Sequence, residues 1–186
     1  MRGASAIAAA AALLLTACAV APTTTAERVT SGRFIANAGK GDERRSISGR
    51  FTIETQADRR IVELASPLGT TMARIEIAPQ FATATGPNLE SISGPDADAL
   101  VERLFGWRLP VGGLGDWIEG RPDPSKLSQV RHDGDRVVQI EQEGWIIHVV
   151  EVFPNTGRPR LLTLERPEAQ GNPAITVRLV VDGPAS

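Results

Sequence analysis

The chain has 186 residues, with 20 Lys and Arg against 22 Asp and Glu, a formal charge of −2 and one cysteine. That balance gives nucleic acid no basic face to bind, and a lone cysteine leaves no internal disulfide, so the core must supply the stability. Three Trp, five Phe and no Tyr are too few aromatics for a platform that stacks bases or sugars.

In chain order the first landmark is Leu15-Thr16-Ala17-Cys18. Met1-Arg2 forms a short positive start, and Ala4 to Leu15 is an unbroken run of small and apolar residues. That run is shorter than the ~20 apolar residues a membrane span requires. The pattern reads as a bacterial lipobox, in which residues 1–17 are a signal peptide and Cys18 becomes the lipid-bearing first residue. Ala19, where an Asp would signal retention, resembles an outer-membrane address. Removing residues 1–17 leaves 169, a length that fits one domain with a sizeable core. Residues 18–27, with Pro22 and three consecutive threonines, have no hydrophobic period and are expected to be a tether; the domain proper is residues 28–186.

Strand signals follow. Val29 to Ala36 predicts a first strand, and Asn37 to Arg45 its hairpin connection. From Ile47 to Thr55 apolar or small residues alternate with polar ones, the mark of a half-buried antiparallel strand. Arg60 to Ala65, Arg74 to Ile77, Gln80 to Thr85 and Leu89 to Ser93 continue the meander, punctuated by Pro67, Gly69, Pro79, Gly86-Pro87 and Gly94-Pro95. The period changes at Asp96 to Phe105, where Ala97, Leu100, Val101, Leu104 and Phe105 fall at helical spacing. A shorter helix is expected within Gly112 to Gly120. Strands resume at Lys126 to His132, Arg136 to Glu143, Trp145 to Phe153, Arg160 to Arg166 and Ala174 to Val181, with a turn at His132-Asp133-Gly134-Asp135. Neither repeats nor charge blocks stand out. About ten strands with two central helices predict an α+β sheet or an unclosed barrel.

The inventory for enzymology is thin. His132 falls in a turn and His148 in a strong strand, and neither has a nucleophile at motif spacing. No Gly-x-Ser-x-Gly, no His-Glu-x-x-His and no metal-spaced cysteine pair occurs, so the expectation is a protein that is not an enzyme, with no catalytic residue, metal or cofactor. The glycines of Val111-Gly112-Gly113-Leu114-Gly115 lack the strand and the Lys-Ser that a phosphate cradle needs. What the chain offers is apolar surface. A curved sheet covered by helices can pack solid or enclose a cavity, and composition favours the solid core. Leu68 falls in a turn set by Pro67 and Gly69, and spacing alone leaves open whether it projects or folds inward.

Three separated motifs, together with the lipobox, resemble the outer-membrane lipoprotein receptor family LolB. They are Ser66-Pro67-Leu68-Gly69-Thr70; Gly106-Trp107-Arg108-Leu109-Pro110-Val111 running on to Leu114 and Trp117-Ile118-Glu119-Gly120; and Gln142-Glu143-Gly144-Trp145. The resemblance implies an unclosed antiparallel barrel of ten or eleven strands with helices as a lid over a hydrophobic cavity. It also implies a monomer held at the periplasmic face of the outer membrane by Cys18. Its work would be to take acylated lipoproteins from the periplasmic carrier LolA and insert their acyl chains into outer-membrane lipid. Pro67, Leu68 and Gly69 match the family's membrane-insertion loop. By strand face and motif position Phe51, Ile53, Leu64, Ile75, Ile77, Leu104, Trp117 and Trp145 are the expected acyl-chain cavity. Departures are Phe51 where a Trp is common, His148 where an aromatic is common, and an end without Trp. The rival reading is a structural or scaffolding envelope lipoprotein of the same fold with a filled core.

Overall fold

A computed structural model describes residues 27–39, 44–87, 90–169 and 172–183. The signal segment, Cys18 and nearly all of the tether lie outside the described residues, as does the middle of the first hairpin. Eleven strands and two helices are described. They run β1 (Arg28–Ala38), β2 (Arg45–Thr55), β3 (Arg60–Ala65), β4 (Thr71–Ile77), β5 (Ala82–Thr85), β6 (Ile92–Gly94), α1 (Ala97–Phe105), α2 (Val111–Trp117), β7 (Ser128–Asp133), β8 (Arg136–Gln142), β9 (Trp145–Val152), β10 (Pro159–Arg166) and β11 (Ile175–Val181). All strands belong to one antiparallel sheet in the order β6-β5-β4-β3-β2-β1-β11-β10-β9-β8-β7. It is two meanders joined by the pairing of the first strand with the last, and β6 and β7 are left as edges. The expected unclosed barrel with two helices is the architecture found.

Every long strand hides alternate residues. In β1 these include Phe34, Ala36 and Ala38, in β2 Phe51 and Ile53, and in β11 Ile175, Val177, Leu179 and Val181. Their partners in register share the same face, so the apolar sets of all strands meet in one concave core. The strands depart from the sequence reading at several ends, with β2 beginning two residues earlier and β5, β6 and β7 two or three residues later than expected. β1 runs on to Ala38 because that residue pairs with both Arg45 and Ile175. β4 begins at Thr71, where a register shift opposite Leu64 and Ala65 interrupts the alternation that marks the strand's other half.

The curvature has a local cause. Gly32 faces Phe51 across β1 and β2, and Phe34 faces Gly49. A Cβ on Gly32 would lie 2.5 Å from Phe51 Cζ and 2.4 Å from the Val180 carbonyl oxygen; one on Gly49 would lie 2.1 Å from the Ala65 carbonyl oxygen and 3.1 Å from Phe34 Cε1. Each ring thus occupies the space its partner's missing side chain vacates. The arrangement rests on a four-residue echo that the sequence reading passed over, Ser31-Gly32-Arg33-Phe34 and Ser48-Gly49-Arg50-Phe51. Set antiparallel, the two copies place each Gly under the other's Phe, a device that lets a sheet bend sharply without leaving a hole.

α1 is amphipathic and lies against β4, β5 and β6, burying Ala97, Leu100 and Val101. Asp96 caps it by accepting hydrogen bonds from the backbone N–H of Asp98 (3.0 Å) and Ala99 (3.2 Å), and Gly106 at φ 78° ends it. Replacing Gly32 or Gly49 with Ala is expected to cost about 2 kcal/mol or more, as overpacked cores do. Arg33→Ala, which alters the outer face of the same strand, should stay within about 0.5 kcal/mol of the parent. Urea unfolding of the three variants with an unchanged m-value checks both statements.

Candidate functional site

The connection from α1 to α2 closes over the concave face. Leu109, Pro110, Val111 and Leu114 descend from it toward Phe34, Phe51 and Leu64 on one side and Leu164, Val177 and Leu179 on the other. Between them is a wholly apolar cavity of about 20 Å³. That holds one water at most, whereas ligand pockets run to ~300 Å³ and beyond. In this closed arrangement the interior is packed.

Of the eight residues expected from sequence, Phe51 and Leu64 line the cavity. Ile53, Ile75, Trp117 and Trp145 are buried in the same core without reaching it, and Ile77 and Leu104 are half-buried against that core. Phe34, Leu164, Val177 and Leu179 also line the cavity from strands that were expected but whose inner faces were not used, and Leu109, Val111 and Leu114 sat unused inside a motif already marked.

Polar ties fasten the lid. Trp117 Nε1–H donates to Gln142 Oε1 at 2.9 Å, and the same oxygen accepts from the Asp123 N–H at 2.9 Å while Gln142 Nε2 donates to the Asp123 carbonyl at 2.9 Å. A buried amide with both ends satisfied binds α2 and its following loop to β8. Its sequence signal was a polar residue at an inward position, two after Ile140. Asp116 at the end of α2 takes Arg60 of β3 and Arg121, each at 3.1 Å. Trp145, by contrast, has no partner for its buried indole N–H among the described residues, with the Arg166 guanidinium 5.9 Å above its ring.

The first turn of α1 is tied to the first turn of α2 through Asp98, whose Oδ1 accepts the Gly112 N–H at 2.8 Å. Arg108 bonds the Asp96 carboxylate and stands 4.0 Å from Asp98 and 3.8 Å from Glu102. Burial opposes the ionisation of Asp96, but Arg108 and the capped N–H groups hold its carboxyl below the usual value. Burial dominates at Asp98 and pushes its carboxyl up to about 6, against the Gly112 N–H and Arg108, with the Asp96 charge adding to the rise and Lys126 opposing it.

Outside the core, Leu68 is 96% exposed at the tip of the β3–β4 hairpin. The tip is a turn closed by the Gly69 N–H on the Ser66 carbonyl (2.9 Å), braced by the Ser66 N–H on the Thr70 carbonyl (2.8 Å), with Gly69 at φ 90°. The turn prevents Leu68 from folding inward, which spacing had left open. Ile47 and Met72 are half-buried at the same end of the sheet. Leu127, before β7, is 97% exposed and had no sequence signal. Of the histidines, His132 is exposed near the end of β7 and His148 half-buried on the outer face of β9.

The sequence model of the family described as "Outer membrane lipoprotein LolB" matches residues 29–183. The chain belongs to the LolB family. Proteins named outer-membrane lipoprotein LolB are similar to it along most of their length. The one from Cupriavidus pinatubonensis is 35% identical over 91% of this chain and 89% of the relative, and the one from Cupriavidus metallidurans 34% identical over 91% and 90%. That from Bordetella petrii is 36% identical over 92% and 88%. A solved LolA superfamily protein from Nitrosomonas europaea superposes with a TM-score of 0.49 at 11% identity, covering 83% of this chain and 84% of its own. The matched range includes both the lid segment over the cavity and the Leu68 turn.

Because the folded Asp98 binds its proton more tightly than an unfolded Asp, its contribution to stability is complete below about pH 4. It is lost as the pH rises through about 6. Asp98→Asn keeps an oxygen for the Gly112 N–H and removes the charge. The variant should match the parent in urea unfolding at pH 4 and exceed it by roughly 1–2 kcal/mol at pH 7.5.

Proposed function

We propose that this chain is the outer-membrane receptor that accepts acylated lipoproteins from the periplasmic carrier LolA and inserts them into the outer membrane. The observation that carries the reading is the chain's membership of the LolB family, with the apolar cavity roofed by Leu109, Val111 and Leu114 as the seam that opens when the short lid lifts. An acyl chain of ~16 carbons in water costs roughly 12 kcal/mol at ~0.8 kcal/mol per CH₂, so it must pass between dry interiors. The lid segment supplies apolar side chains to cover the seam when empty, and the acyl chain takes their place. Ile53, Ile75, Ile77, Leu104, Trp117 and Trp145 then extend the wall beyond the resting cavity.

Without a nucleotide, direction must come from affinity or from rapid release to lipid. Each ~1.4 kcal/mol by which this interior exceeds the donor gives a tenfold bias. Cys18 carries the diacylglyceryl anchor that keeps the domain, a monomer, at the membrane. Leu68, held out on a turn with Pro67 and Gly69, enters the lipid and opens a path for the chains.

The packed interior is also what a scaffolding lipoprotein would have, and an acyl probe separates the two. A receptor takes up a fluorescent fatty acid with a rise in emission, and a passive domain does not. In a reconstituted transfer from LolA, the parent should move lipoprotein one way into vesicles. Leu68→Glu should leave uptake within about twofold and reduce delivery at least tenfold. Delivery at the parental rate by a folded Leu68→Glu protein would remove the insertion role. Val111→Asp, which puts a charge in the dry seam, should lose uptake itself.

A further inference from the structure

The outer face of the central strands carries a cluster that the lid and cavity leave unexplained. Arg33 of β1 stands directly across from Arg50 of β2, and one pleat along Ile35 stands across from Arg178 of β11. Like charges on facing residues work against a sheet. Among the described residues, no carboxylate lies within 4.0 Å of any of the three guanidiniums, while Arg28, Arg59, Arg60, Arg74, Arg108 and Arg160 all have acidic partners. The outward positions of β1, β2 and β11 hold one acid, Glu54, beside Val29 near one end; Asp182, just past β11, accepts the Ser31 hydroxyl at 3.2 Å. Three apolar side chains share the face, Ile35 at 50% exposure, Val29 at 61% and the half-buried Val180 across from Arg33.

We infer that the outer face of β1, β2 and β11 is the surface on which the domain lies against anionic phospholipid, with Arg33, Arg50 and Arg178 on headgroup phosphates and Ile35 among them. The inference rests on the proposed anchoring at Cys18. Where the anchored segment joins argues for it independently of charge. Arg28 pairs with Thr55 at one end of the strands, whereas the Leu68 hairpin projects from Ala65 toward the other end, where Ala38 pairs with Arg45. Ala65 is level with Arg50, five residues from Thr55, and the turn adds about two or three more, so the two levels are ~25 Å apart. Nine residues, 19 to 27, separate Cys18 from β1. A coil of that length spans about 17 Å root-mean-square and at most about 30 Å. Standing on Leu68, the domain would stretch this link well past its relaxed span. Lying along β1, it keeps both Cys18 and Leu68 at the bilayer with the link relaxed, and the face turned to the lipid presents Arg33, Arg50 and Arg178, which have no acidic partner among the described residues. At roughly fivefold per arginine near an anionic surface, losing two shifts the ratio of docked to undocked domain about thirtyfold.

The test uses the full lipidated chain, in which Cys18 is occupied, with Ile35→Cys or Val150→Cys carrying an environment-sensitive dye; Val150 is equally exposed but lies on β9. On phosphatidylglycerol-rich vesicles the dye at residue 35 should shift to the blue and the dye at 150 should not. The shift should be absent on phosphatidylcholine alone, in high salt, and in Arg33→Glu/Arg50→Glu. Arg33→Ala/Arg50→Ala serves as a second variant should the doubly acidic strand misfold by its far-ultraviolet spectrum. A dye at 35 that stays aqueous on anionic vesicles, or one that responds no differently from that at 150, overturns the inference. Lipoprotein delivery measured in the same vesicles separates the two readings. Delivery with an aqueous residue 35 removes this face and leaves the receptor, whereas a blue shift without delivery keeps the face and removes the receptor.

Discussion

A single sheet can hide its apolar side only by being covered or by curling, and here the curl begins where Gly32 meets Phe51 and Gly49 meets Phe34. With a side chain at either glycine the strands could not close to the Val180 and Ala65 carbonyls. The flatter sheet would then spread the alternate residues of eleven strands over an area that two short helices could not roof. The same two rings also form part of the cavity wall. Shape and binding surface are therefore one set of contacts, and neither can be altered alone.

The lid inherits its character from that geometry. α2 has seven residues, three of them glycine, and would not persist as an isolated helix. It is helical because Trp117 and Asp116 are fastened to β8 and β3. Two of its glycines are demanded by those fastenings, since a Cβ on Gly113 would run into the Trp117 ring and one on Gly115 into Arg60. The same element also buries Val111, Leu114 and Trp117, so its polar ties and its apolar contacts fix one position over the interior. The buried Asp98 adds a further tie to the Gly112 amide, at the cost of desolvating its carboxylate whenever it ionises.

Much of this was legible from residues. Alternation placed β2, β3 and β11 within a residue or two, because half-buried strands must repeat every second position. The helical spacing of Leu100, Val101 and Leu104 did the same for α1. The cavity was less legible. Inward parity placed Phe51 and Leu64 on the side where the cavity lies but could not rank Phe51 above Ile53, since both point inward and only the lid's landing site separates them. Gln142 was hidden for the opposite reason: a polar residue at a core position is anomalous in a strand pattern until the indole and the loop it satisfies are known. The exposure of Leu68 depended on hydrogen bonds between Ser66, Gly69 and Thr70 that spacing does not encode.

The pairing of β1 with β11 sets a schedule for the chain. Residues 28 to 94 form one meander and residues 128 to 181 another, each with neighbours close in sequence, while the seam between them joins Arg33 to Val180. Local hairpins can form as soon as their segments emerge, but the seam carries the entropy of closing a very long loop and must wait for the final strand. Until then the inner faces of both halves remain uncovered, and the first strand has only one neighbour. The apolar interior is therefore the last part of the molecule to be enclosed, and it comes into being only when β11 takes its place between β1 and β10.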